Sequence, residues 1–253
     1  MRFPLLNKLL AVLFCTGTLL VSASASATVI VTGTRVIYPS DAREVTVKLN
    51  NNGTVPALVQ SWIDSGNLKE DPNAGGMPFT LMPPVTRIDP DKGQSLRLIY
   101  THDPLPQDRE SVFWLNVLEI PPKPAKADVD QRLLQVAFRT RIKIFFRPTG
   151  LKGEANEAPA KLSWAWEHDA TNHNKLVLRA TNPTPYHVSV VGAKVTSGGK
   201  TYESDSQMVA PLSNATFAFK DLERQPDGPL KVNFETVNDY GAIVPAAFPA
   251  SSN

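Results

Sequence analysis

Apolar residues in this chain fall on alternate positions in short runs, and clusters of Pro, Gly, Asn and Asp separate the runs. Val45, Val47 and Leu49 alternate with Thr46 and Lys48, and Asn50-Asn51-Asn52-Gly53 then supplies a turn. Further strands are predicted over 58–63, 96–100 and 112–120, the last stopped by Pro121-Pro122. Beyond residue 150 the same texture resumes over 175–181, 187–195, 216–219 and 231–237. Short strands at even spacing with turn signals between them predict β-sandwiches and not βαβ units. No segment beyond the N-terminal leader carries an apolar stripe of helical period. The stretch 149–161 is small and polar, as linkers are, and divides the chain into 28–148 and 149–253. Each part is a comfortable size for an immunoglobulin-like sandwich. The expected fold is therefore all-β with two sandwich domains, and a single large barrel is the alternative.

The first 27 residues follow a different rule. Arg2 and Lys8 precede an apolar run from Leu9 to Val21, followed by Ser22-Ala23-Ser24-Ala25-Ser26-Ala27. This is the layout of a secretory signal peptide, with Ala25-Ser26-Ala27 as the expected cleavage site and Thr28 as the first mature residue. An uncleaved anchor is the competing reading, but thirteen apolar-rich positions fall short of the ~20 needed to span a bilayer. Cleavage implies no stable membrane insertion afterwards. It also removes Cys15, the one cysteine among 253 residues, so no disulfide framework remains. The formal charge of +2 belongs to the leader; without it 24 basic residues face 24 acidic ones. Such a balance gives no electrostatic footprint for nucleic acid.

Catalytic and metal motifs are missing from the sequence. It contains no G-x-S-x-G, Walker A loop, G-x-G-x-x-G or H-E-x-x-H. His102, His168, His173 and His187 are scattered over predicted loops and strand starts, a poor arrangement for metal ligation. Pairs such as Asp89 and Asp91 flank turns, which accounts for them. Nothing assembles an acid, a base and a nucleophile, so neither an enzyme nor a cofactor is expected.

One run departs from an ordinary sandwich strand. Leu134, Val136, Phe138, Thr140, Ile142, Ile144 and Phe146 alternate with Gln135, Ala137, Arg139, Arg141, Lys143 and Phe145. Thirteen residues are about twice the usual strand length. Periodicity alone leaves two readings open: a row buried in the first domain, or an apolar edge running past its own core. Exposed edges template pairing with other chains and are normally blunted, so an edge kept apolar would point to strand pairing as a function.

Residues 105–122, Leu-Pro-Gln-Asp-Arg-Glu-Ser-Val-Phe-Trp-Leu-Asn-Val-Leu-Glu-Ile-Pro-Pro, resemble the signature of PapD-like periplasmic pilus chaperones of the chaperone–usher pathway. The resemblance extends to 34–39 (Thr-Arg-Val-Ile-Tyr-Pro), 140–148, 182–186 (Asn-Pro-Thr-Pro-Tyr) and 237–242 (Val-Asn-Asp-Tyr-Gly-Ala), and so covers the mature chain. It implies two immunoglobulin-like domains in an L or boomerang arrangement. Arg35 and Lys143 match the family's pair of cations that binds a pilus subunit's C-terminal carboxylate. Leu134, Val136 and Phe138 match the alternating apolar residues lent to a subunit that lacks its last strand. Because Lys143 alternates to the opposite face from those three, a bulge near Thr140 is expected. Glu110, Arg147 and Asp239 match an interdomain charge network, and residue-level reading alone would leave them as separate surface charges. The short segment before Leu134 and the cysteine-free mature chain point to the family's short-loop subclass.

The resemblance thus implies an ATP-independent periplasmic chaperone that binds, folds and caps pilus subunits and delivers them to an outer-membrane usher. A homodimer that hides the apolar edge is a further partner to consider. The alternative is a structural pilin or adhesin-like sandwich subunit.

Overall fold

The computed structural model describes residues 28–69, 75–121, 136–169, 175–222 and 224–249. Nine strands build the first sandwich: β1 (Val29–Val31), β2 (Arg35–Pro39), β3 (Val45–Asn51), β4 (Ala57–Asp64), β5 (Phe79–Met82), β6 (Val85–Ile88), β7 (Gly93–Tyr100), β8 (Ser111–Ile120) and β9 (Phe138–Arg147). They form two sheets, ordered β1-β3-β7-β5 and β2-β9-β8-β4-β6. The alternation read along β3 has a physical result: Val47 and Leu49 are buried in the core while Thr46, Lys48 and Asn50 face water. Leu96 and Leu98 of β7 pack toward Ile142, Ile144 and Phe146 of β9 within one apolar cluster. Asn51 ends β3 and is fully buried; its amide donates to the carbonyls of Val55 and Ile88, both at 2.9 Å, and its side-chain oxygen accepts from the Gly53 N–H. That side chain does inside the fold what turn hydrogen bonds do at a surface.

The second sandwich holds β10 (Ser163–Asp169), β11 (Lys175–Asn182), β12 (Val188–Ser197), β13 (Lys200–Glu203), β14 (Gln207–Val209), β15 (Ser213–Ala218), β16 (Val232–Val237) and β17 (Ile243–Phe248). Its sheets are β10-β11-β15 and β13-β12-β16-β17, with β14 also paired to β12. Trp164, Leu178, Phe217, Phe219 and Phe234 belong to its separate core. His168 lies on β10, paired with Leu176 of β11, and not in the expected polar loop; His173 lies outside the described residues.

The connection that matters for function is the change of sheet after β1. Strand β1 pairs with β3 in one sheet, and β2 pairs with β9 in the other, parallel, with Arg35 opposite Lys143. The β8–β9 ladder runs without a register shift from Glu119 opposite Phe138 to Ser111 opposite Phe146. The bulge expected near Thr140 is therefore absent. Unbroken alternation leaves Phe138, Thr140 and Ile142 on the inward face of the sheet and Lys143 on the outward one.

Candidate functional site

Strand β9 has one fully paired edge and one that is only half paired. Against β8 it is bonded along its length, but β2 covers its other edge only from Lys143 to Arg147. Among the described residues no strand pairs with that edge over Phe138–Ile142. Along this open segment the inward-facing row outruns the core. Ile142 is buried, Phe138 is half-buried, and Val136, just before the strand, is 47% exposed. Leu134 lies outside the described residues.

The outward face of β9 carries Arg139, Arg141, Lys143, Phe145 and Arg147 in a row, and four of the five are matched by neighbours. Arg139 donates two hydrogen bonds to the Asn116 side-chain oxygen, at 2.9 and 2.6 Å, with its guanidinium 4.8 Å from the Trp62 ring centre. Arg141 forks onto Asp64 and lies 4.6 Å from the centre of the Trp114 ring. Burial pushes the Asp64 carboxyl up, but bonds from Arg141, Asn116 and the Gly66 amide outweigh it and hold the group below the usual carboxylate range. Phe145 packs against His187 with ring centres 5.4 Å apart. Lys143 has no carboxylate within ion-pair distance among the described residues. Burial lowers its ammonium below the ordinary lysine value, and the neighbouring charges of Arg35 and Arg141 lower it further.

Arg35, across from Lys143, likewise has no carboxylate within ion-pair distance among the described residues, although its guanidinium lies 5.7 Å from the centre of the Phe145 ring. Its Nη1 donates to the Val237 carbonyl at 2.7 Å, and its Nε is buried with no hydrogen-bond partner. Desolvation lowers its guanidinium from the usual value, although Asp239 and Glu110 act in the opposite sense. Two adjacent cations, neither in an ion pair among the described residues and one with an unused donor, make a site that favours an anion. Arg35 also lines an interdomain cavity of about 350 Å³ with Glu110, Phe145, Arg147, His187 and Asp239. Lys143 is not in that wall; it sits one outward position before Phe145, toward the open edge.

The structure brings Glu110, Arg147 and Asp239 together across the two sandwiches. Arg147 donates to Glu110 Oε1 at 2.7 Å through Nε, and to both Asp239 oxygens at 2.6 and 2.9 Å. Arginine can serve two carboxylates at once because its five donors are fixed in a plane. Burial alone would lower the Arg147 guanidinium, but the two carboxylates raise it well above its ordinary value. Glu110 adds two contacts to the second domain, accepting from the His187 backbone N–H at 2.7 Å and from its Nδ1 at 3.2 Å. Gly241 sits opposite: at φ 84°, a Cβ there would come within 2.4 Å of Thr34 Oγ1, so the close approach requires glycine.

Asp64, Asn116 and His187 were not foreseen from sequence as parts of this region. The available signal was the outward row itself, since cations at successive outward positions of one strand favour acceptors and opposite charges on the strands beside it.

Both folding units are thus β-sandwiches, joined by a part-buried charge network and carrying an open strand edge. Residues 28–152 match the family model described as pili and flagellar-assembly chaperone, PapD N-terminal domain, and 157–248 match pili assembly chaperone PapD, C-terminal domain. The probable fimbrial chaperone YadV of Escherichia coli (strain K12) is 48% identical over 225 residues, covering 88% of this chain and 90% of the relative. The crystal structure of the YadV chaperone superposes with a TM-score of 0.74 at 44% identity, covering 87% of this chain and 98% of the other. In the complex of Salmonella enterica SafA pilin with the SafB chaperone, a chain aligns with a TM-score of 0.69 at 25% identity, over 89% and 98% of the two chains. The chain belongs to the PapD-like family of pilus-assembly chaperones. That is a family of chaperones and not of enzymes, and it sets aside the reading as a structural subunit.

Proposed function

We propose that the open half of β9 is lent to a pilus subunit as a substitute strand, and that Arg35 and Lys143 grip the subunit's C-terminal carboxylate. The observation that carries this reading is the coincidence of two features: the unpaired edge ends where the unpaired cations sit. Strand β2 runs parallel to β9 and begins at Arg35, opposite Lys143. A partner strand parallel to β9 along the open segment would lie in line with β2 and end facing Arg35. An antiparallel partner would instead bring an α-ammonium to two cations. Charge therefore selects the parallel orientation, and it also sets the register.

On this reading residues 28–148 supply the binding edge, and 149–253 complete the cleft through the Glu110–Arg147–Asp239 network. Val136, Phe138 and Leu134 would fill the subunit's open groove, each worth about 1.5–3 kcal/mol if fully buried, before the costs of association. The protein acts in the periplasm after export, passes its cargo to an outer-membrane usher, and draws on no nucleotide. Binding of a peptide copy of a subunit's C-terminal strand, as free acid and as amide, tests the carboxylate grip. The acid should bind at least tenfold more tightly, and Arg35→Ala should erase the difference. Equal binding of acid and amide would refute the assignment of the cation pair.

A further inference from the structure

Glu119, near the end of β8, is half-buried and faces residue 28. Its Oε2 accepts the Thr28 backbone N–H at 3.0 Å and the Val29 N–H at 3.1 Å, while its Oε1 accepts the Thr28 hydroxyl at 2.5 Å. Thr28 is held on its other sides as well. Its carbonyl accepts from the Asn52 N–H at 2.8 Å. Gly53 leaves room for its side chain, since a Cβ there would stand 2.7 Å from Thr28 Cβ and 2.8 Å from Cγ2. Every polar group of one residue is thus matched, and its side chain has a fitted seat. Among the described residues the donors to Glu119 are all neutral, and none is a cation.

We propose that this seat receives the α-ammonium group that signal cleavage creates on Thr28, so that processing supplies the missing counter-ion of Glu119. The inference rests on the reading of residues 1–27 as a cleaved leader. Hydrolysis of the Ala27–Thr28 amide by the export pathway's peptidase consumes one water. It leaves a carboxylate on Ala27 and an ammonium on Thr28. Before cleavage the Thr28 nitrogen carries one hydrogen and no charge; afterwards it carries three hydrogens and a unit of positive charge. The Oε2 contact already in place then becomes a charge-assisted hydrogen bond.

Position gives the contact a consequence for function. Glu119 lies directly opposite Phe138, the first residue of β9, and also opposite Val59 of β4. The leader of an unprocessed chain must leave Thr28 beside the start of the open edge. Cleavage adds the ammonium at that point and fastens β1 there, so the chain gains this anchor only in its mature form.

A chain released from a cleavable tag with Thr28 as its first residue is compared with the same chain acetylated at Thr28, each with Glu119 and with Glu119→Gln. In the native background the free amine should raise Tm. At neutral pH it should also react with an acylating reagent about tenfold more slowly than a Thr-Val-Ile peptide, one pKa unit's worth of protonation. Both effects should vanish with Glu119→Gln. Acetylation without effect on Tm in the native background, which leaves all side chains intact, would overturn the proposal. So would an effect of equal size in Glu119→Gln. The mass of the exported protein checks the leader reading separately: a first residue other than Thr28 would refute processing as the source of the cation, whatever the seat does.

Discussion

Replacing Lys143 by Met separates binding from stability, because the two should move in opposite directions. The substitution keeps an unbranched apolar stem of similar reach and removes the charge. In the free protein that charge stabilises nothing: it faces Arg35 across the β2–β9 pair, and Arg141 stands two positions away on the same face. Like charges directly opposite in a sheet cost about 0.2–1 kcal/mol. Lys143→Met should therefore melt no lower than the native chain, and up to a few degrees higher. Capture of a subunit should suffer. Removing one partner of a buried, hydrogen-bonded charge pair costs about 2–5 kcal/mol, or about 30-fold to a few thousandfold in Kd.

The pH dependence supplies a check that a purely structural residue would fail. Lys143 has a folded-state pKa below its unfolded value near 10.4, so the unfolded chain binds the proton more tightly. Stability then rises with pH between the lowered value and about 10.4, as the folded state sheds a proton that the unfolded state retains. The advantage of Lys143→Met over the native chain should be full below the lowered pKa and should vanish as the pH climbs toward 10.4. Taking the difference in Tm between the two proteins cancels the tyrosines, which titrate in both. A variant that melted lower and captured subunit with native affinity would make Lys143 an ordinary structural residue and refute the reasoning.

Val136→Glu should abolish subunit capture and leave Tm unchanged, because Val136 is already 47% exposed; a loss of several degrees would show that this position packs in the core. Arg147→Ala leaves Glu110 buried without its cation, which should cost about 3–5 kcal/mol in denaturant unfolding. Arg147→Lys should recover little of that loss, since an ammonium cannot fork between Glu110 and Asp239. Asp64 has a folded pKa below its unfolded value near 3.9, so its contribution to stability is present above that value and is lost as pH falls through the folded one. The stability gap between the native protein and Asp64→Asn should therefore close in acid unfolding below about pH 4; a gap unchanged down to pH 2 would contradict the Arg141–Asp64 pairing.

The sheets were legible in the sequence because each half-buried strand writes its own alternation. Val45 to Leu49, and Ile142 to Phe146, can be assigned inward without knowledge of what they pair with. The site was only partly legible, because it is built from registers between distant strands. No local pattern reveals that the chain changes sheets after Val31 and so brings Arg35 to Lys143, or that Asp64 supplies the counter-charge and Asn116 a hydrogen-bond acceptor for the two arginines before it. The expected bulge at Thr140 followed from the assumption that the groove-filling side chains and the carboxylate grip must share one face. On the proposed reading they need not: side chains would fill a groove from the inward face, while a carboxylate would be gripped at the end of the partner's backbone, in line with β2. Family resemblance supplied the site residues, and the geometry shows that among the described residues Lys143 is the outward cation of β9 with no carboxylate in ion-pair range.

The same geometry sets a limit on self-association. An edge that offers free backbone groups and apolar side chains invites a second copy of the chain. A closed two-fold dimer through identical edges pairs them antiparallel. The Arg35–Lys143 pairs then sit at opposite ends of the joint ladder, where neither meets a carboxylate. Such a dimer would bury Val136 and Phe138 and satisfy the backbone, but it would leave both cation pairs unmatched. On the proposed reading a subunit would satisfy all three, so it should displace a dimer at equal concentration. Lys143→Met should then leave sedimentation of the free protein unchanged while destroying the one-to-one complex with a subunit. If the variant changed dimerisation and complex formation by the same factor, the cations would belong to both contacts, and the parallel, carboxylate-anchored mode would lose its support.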